Sequence, residues 1–152
     1  MPVKIEDILE HLELSTDTGS SFLNKVSGEI IFINDDIFEY AEDGDLDGLA
    51  DWEKELTVAA KEINETDNFV KLPTKYDINE YSIMERFCHS IVDDKLKAIM
   101  YSSIKGSGAF GRFKQLISKN DLEDEWFRFR TEELKMIAAD WCLSNKIQLI
   151  AG

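Results

Sequence analysis

Lys105, Gly106, Ser107, Gly108, Arg112 and Lys114 stand together in the segment SSIKGSGAFGRFK, and their types and spacing are those of an anion-binding turn. Paired glycines let the backbone bend so that amide hydrogens at the start of a following helix point outward, where the helix dipole favours negative charge. Residues 105–120 carry four basic side chains and no acidic one, in a chain of formal net charge −14. The segment lacks the Gly-x-x-x-x-Gly-Lys-Ser/Thr order of a nucleotide-hydrolase phosphate loop, and it follows a predicted helix instead of a strand. A structural use of the same residues is equally concrete: Ser107 caps the helix, the glycines form a sharp joint, and Phe110 and Phe113 anchor it in the core.

Asp43, Asp45, Asp47 and Asp51 fall at positions one, three, five and nine of a calcium loop, with Gly48 at the turning sixth position. Position twelve, which needs a bidentate Glu, is Lys54, and Ala50 stands at the loop's central apolar position. Only half a loop is present, so a solvated acidic connection is the expectation and no metal is assigned. WFRFR, residues 126–130, interleaves aromatics with arginines as a single-strand nucleic-acid surface does. Arg128, however, lies four residues from Asp124 and Glu132, and Arg130 three from Glu133, which predicts ion pairs along one helix. The histidines are His11 and His89, each on the polar side of a predicted helix. His89, four residues from both Glu85 and Asp93, is expected to be a salt-bridged surface residue, with a proton donor as the alternative reading. No Ser-His-Asp or Cys-His arrangement and no cofactor motif can be nominated. Cys88 and Cys142 lie far apart and outside any Cys-x-x-Cys pair, so both are expected to be buried thiols.

The elements that would position these groups follow from periodicity. Ile5, Ile8, Leu9 and Leu12 predict a helix over 4–13. SFLNKVSGEIIFIN predicts a hairpin over 21–34 turning at Ser27-Gly28, followed by an acidic connection over 35–51. Trp52, Leu56, Ala59 and Ile63 mark one face of a helix, and 69–72 is a short strand closed by Pro73. Asp77-x-x-Glu80 predicts the start of a helix over 78–91, and Asp93 caps the next, carrying Leu96, Ile99 and Met100. After the glycines, Phe110, Phe113, Leu116 and Ile117 form a stripe, and Asn120 with Glu123 opens a long helix to Asn145. KIQLI predicts a closing strand over 147–150. The fold class is α+β: a helix-dominated single domain, 1–152, with a small, mainly antiparallel sheet.

Composition bounds the partners. A chain of 152 residues that is 43% hydrophobic and 11% aromatic can fill one core. Its 31 acidic and 17 basic residues disfavour adhesion to nucleic acid or anionic lipid. No apolar run reaches membrane-spanning length, and the N-terminus has the pattern of neither a signal nor a transit peptide, so a cytoplasmic location is expected.

GSGAFGRFK at 106–114, WFRFR at 126–130 and the A-x-x-W-C-L-x-N pattern at 138–145 together resemble a chiefly bacterial group, uncharacterised protein family 0158. The segments FLNKVSGEIIFI, FVKLP at 69–73 and DINEYSIMERFCHSI at 77–91 extend the resemblance over most of the chain. The family has no established reaction, substrate or ligand, so the resemblance carries over no catalytic residue. It commonly places a basic residue where this chain has Gly111, which thins the basic face here. The expected function is a non-enzymatic binding or regulatory module, without a cofactor, using the turn at 105–114 to engage a protein or a phosphorylated small molecule. The alternatives are an enzyme for a small anionic substrate, using that turn with His89, and an interaction protein or weak calcium binder working through the acidic loop. Nothing in the sequence fixes an oligomeric state.

Overall fold

A computed structural model of the chain describes residues 2–14, 16–43 and 47–150. In chain order its elements are β1 (Val3–Lys4), α1 (Ile5–Glu13), β2 (Gly19–Asn24), β3 (Ile30–Asn34), α2 (Asp35–Asp43), α3 (Asp51–Glu65) and β4 (Phe69–Lys71). There follow α4 (Lys75–Ile78), α5 (Glu80–Ser90), α6 (Asp94–Ser103), α7 (Ala109–Lys119), α8 (Glu123–Ser144) and β5 (Leu149–Ile150). This is an α+β chain that divides into two compact units, residues 1–77 with 137–152, and residues 78–136.

The first unit is built on an antiparallel sheet of order β3-β2-β4. Its hairpin forms where Val, Ile and Phe alternate. Asn24 closes the turn through its side chain, which accepts the amides of Val26 at 2.9 Å and Ser27 at 3.2 Å, while Gly28 takes φ +82°. Leu23 pairs with Val70 and Phe22 with Lys71, so the strand after residue 69 joins the hairpin as expected. Phe22, Ile33, Ile37, Ala41 and Ala60 form the buried cluster between sheet, α2 and α3. Each large apolar side chain buried there stabilises by about 1.5–3 kcal/mol. Trp141, from the last turns of α8, donates its indole N–H to the carbonyl of Lys71 at 3.0 Å, covering a group on the outer edge of β4.

The second unit packs α5, α6, α7 and the first turns of α8 around Phe87. Its ring meets Phe113, Trp126 and Phe129 edge to face, with centroids at 6.1, 5.3 and 5.4 Å. Ile83, Cys88, Met100, Ile104 and Ile117 complete this core at 2% exposure or less. Asp93 caps α6 by accepting the amide of Leu96 at 2.9 Å, as its position predicts.

Several expectations need correction. The acidic stretch after the hairpin begins as a helix: Asp35 and Asp36 sit in the first turn of α2, where the dipole favours carboxylates, while Ile37 and Ala41 fall on its buried face one turn apart. Of the expected α3 face, Leu56, Ala59 and Ile63 pack against the core beside the buried Thr57 and Ala60, and Trp52 alone of the four is exposed. The helix over 78–91 is interrupted: Asn79, at φ +53°, caps α5 by accepting the Ser82 amide, and Asp77 accepts the amide of Thr74. Asn120 ends α7, its side-chain amide donating to the Leu116 carbonyl, instead of starting α8. The closing strand pairs in parallel with β1, Val3 with Leu149 and Lys4 with Ile150, in a separate two-stranded sheet.

Candidate functional site

At the glycine turn, Gly106 and Gly108 take φ +79° and +77°, so both use the left-handed conformation that glycine permits. Gly108, not Ser107, is the cap residue of α7, with no side-chain cap bond. Phe113 is buried, but Phe110 is exposed and anchors nothing. Arg112 folds back onto the turn. Its Nε donates to the carbonyl of Ser103 at 2.9 Å, Nη2 to that of Lys105 at 2.6 Å, and Nη1 to that of Ser107 at 2.6 Å. These carbonyls belong to the end of α6 and the loop beyond it, where helix geometry supplies no acceptor bond of its own. Lys105 Nζ stands 5.1 Å from the centre of the Tyr101 ring and Lys114 Nζ 5.4 Å from that of Phe110. The three cations therefore engage three different partners.

His89 meets the same Tyr101 ring, centroid to centroid at 4.9 Å. Burial raises the Tyr101 hydroxyl above its ordinary pKa, and the neighbouring Glu85 carboxylate adds to the shift. In the WFRFR segment Trp126 is buried, Phe129 packs on Phe87 and Phe127 is exposed. The expected pairs along one helix are replaced by pairs between helices: Arg130 reaches the Glu80 carboxylate, with Nε at 2.9 Å from Oε1, and Glu133 accepts from Arg86 at 2.8 Å. Arg128 turns its Nε to the carbonyl of Asp124. Of the calcium-loop residues, Asp43 ends α2 and Asp51 begins α3, Asp47 lies in a turn, and Asp45 is outside the described residues. No group of three or more metal-ligating side chains occurs among the described residues. Nor is any of their helices long and apolar enough to cross a membrane.

The first unit holds a polar cleft of about 340 Å³. Three segments build its walls: the end of α1 and the loop to β2, the start of β2 facing β3, and the chain that leaves β4 for α4. His11 Nδ1 lies 3.0 Å from Ser21 Oγ, tying helix to strand. Asp17 and Lys75 form an ion pair at 2.5 Å between the first and third segments. The hydrogen bond that the Lys75 ammonium donates to the Asp17 carboxylate holds its pKa above the ordinary value. Gly19 makes the Phe32 wall possible, because a Cβ there would stand 2.4 Å from Phe32 Cζ. Lys71, Asp35, Ser20 and Thr74 add further polar groups. The volume falls in the range of small-molecule sites, which runs from about 300 to 1,000 Å³.

His11 lies on the helix its spacing predicts, but neither its partner Ser21 nor Asp17, Ser20, Thr74 or Lys75 falls in a motif of the sequence. The available signal was the hydroxyl-rich run TDTGSS at 16–21, directly before the hairpin. The Lys75 partner of Asp17 lies more than fifty residues further on.

The comparisons agree on kinship and are silent on chemistry. A relative from Pseudomonas aeruginosa, named only as a UPF0158 protein, is 23% identical over 143 residues, covering 92% of this chain and 83% of that protein. No solved structure matches. The model of the uncharacterised protein family UPF0158 matches residues 1–152, and the chain belongs to that family.

Proposed function

We propose that this chain is a non-enzymatic, cytoplasmic small-molecule-binding module whose ligand site is the cleft of the first unit. The observation that carries this reading is the convergence of His11, Asp17, Ser21, Lys71, Thr74 and Lys75 on one concave space of ligand size. Pockets of that size with a few convergent polar groups are the usual form of small-molecule sites. Two free, buried thiols, Cys88 and Cys142, suit a reducing compartment. An anion on the turn at 105–114 has less support, because the Arg112 guanidinium is already spread over three backbone carbonyls. Lys105 and Lys114 remain there as exposed cations. A melting screen with small polar metabolites tests the reading, since a ligand of the folded state raises the melting temperature. The expected result is a shift that Lys75→Gln reduces and Arg112→Lys leaves in place; the reverse pattern returns the site to the turn.

One observation favours a second reading, an enzyme. The 3.0 Å contact between His11 Nδ1 and Ser21 Oγ is within the reach of a base and the nucleophile it activates. A fluorophosphonate probe decides between the two. Labelling at Ser21 that His11→Gln abolishes supports catalysis, and an unlabelled protein leaves the binding module.

A further inference from the structure

Resting on the cleft reading, we propose that the ligand is a small zwitterion of the free amino acid class, carrying an ammonium and a carboxylate a few bonds apart. Asp17, Asp35, Lys71 and Lys75 are among the residues that line the cleft, and Asp17 and Lys75 meet there as an ion pair. That set is balanced, in a chain of net charge −14. A phosphorylated molecule with charge of one sign would face Asp17 and Asp35 unfavourably, and a polyamine would face Lys71 and Lys75 unfavourably. A zwitterion meets both pairs.

The Asp17–Lys75 contact indicates how such a ligand enters. The two side chains are 67% and 45% exposed, so water screens the pair and opening it costs little. The ligand carboxylate takes Lys75 while the ligand ammonium takes Asp17, and one ion pair becomes two with neither charge abandoned. Among the described residues, Lys71 and Asp35, which also line the cleft, form no ion pair. The hydroxyl of Ser20 can donate or accept toward either end, while that of Thr74 already donates to Asp77 Oδ2 at 3.1 Å. The Phe32 ring, seated on Gly19, offers an apolar wall to the rest of the ligand.

The test is calorimetric titration with the twenty free amino acids, then with N-acetyl and carboxamide forms of those that bind. We expect at least one saturable binder, weakened tenfold or more when either end is blocked. Asp17→Asn and Lys75→Gln should each weaken it to a similar extent while still melting cooperatively. If one variant fails to fold, the other and the blocked ligands decide. Binding that ignores the blocked ends or both variants overturns the proposal, as does the absence of any amino acid binder. In those cases the cleft reading survives if another class of small molecule binds and is weakened by Ser20→Ala or Thr74→Ala. It falls if such binding is insensitive to every cleft substitution.

Discussion

Gly19 lies directly against the ring of Phe32: a Cβ at residue 19 would stand 2.4 Å from Phe32 Cζ and 2.8 Å from the carbonyl oxygen of Ile33. The close approach joins the sheet to the cleft, because the ring that covers Gly19 is also a cleft wall.

Gly19→Ala should therefore destabilise the chain by about 1–3 kcal/mol, the usual cost of overpacking. Gly111 makes the contrast. It sits in α7 with nothing within 4 Å of an added Cβ, so Gly111→Ala should stabilise by about 0.5–1 kcal/mol. Urea unfolding of both variants measures the pair. Equal effects would contradict the account of Gly19.

Arg112→Ala removes the donors of three carbonyl bonds and should cost about 1–3 kcal/mol. Arg112→Lys should rescue little, because one ammonium cannot span acceptors on Ser103, Lys105 and Ser107 as a planar fork does. Full rescue by lysine would mean that charge, not geometry, is what the turn requires.

Arg130 with Glu80 and Arg86 with Glu133 join α8 to α5 at two points. A double-mutant cycle on Arg130 and Glu80 should give a coupling of about 0.5–1 kcal/mol that shrinks in high salt. A coupling indistinguishable from zero at low salt would remove the pair from the stability of the second unit.

Cys88 is fully buried and its thiol is pushed up to about 11, chiefly by burial. Below pH 9 both folded and unfolded thiols are protonated and this contribution is intact. Between about 9 and about 11 the unfolded thiol ionises while the folded one does not, so stability falls as pH rises. Cys88→Ala should flatten that alkaline decline. Neither Cys88 nor Cys142 should react with a thiol reagent at pH 8 until the chain is unfolded; fast native labelling would contradict their burial.

The legible parts of the fold were those written in local pattern. The hairpin announced itself through alternating Ile and Phe around Gly28, α6 through the Asp93 cap, and α8 through its width of aromatic residues. Helix α2 was hidden because a high density of acid reads as solvated loop, although its carboxylates suit a first turn and Ile37 and Ala41 share a face. The parallel pairing of Val3 with Leu149 is too short and too distant in sequence to leave a signature. The glycine turn is legible as a feature, but Arg112 folds back onto it to donate to three backbone carbonyls, which no sequence displays. The cleft went unread for a related reason: Asp17 and Lys75, or His11 and Ser21, acquire meaning only when strand pairing brings their segments together.

The most direct test of the central claim is the amide NMR spectrum of the labelled chain titrated with a mixture of small polar metabolites. The account predicts saturable shifts at Gly19, Ser20, Ser21, Thr74 and Lys75, with Gly106, Ser107, Gly108 and Ala109 unmoved. Shifts confined to residues 105–114, with the cleft amides silent, would contradict it.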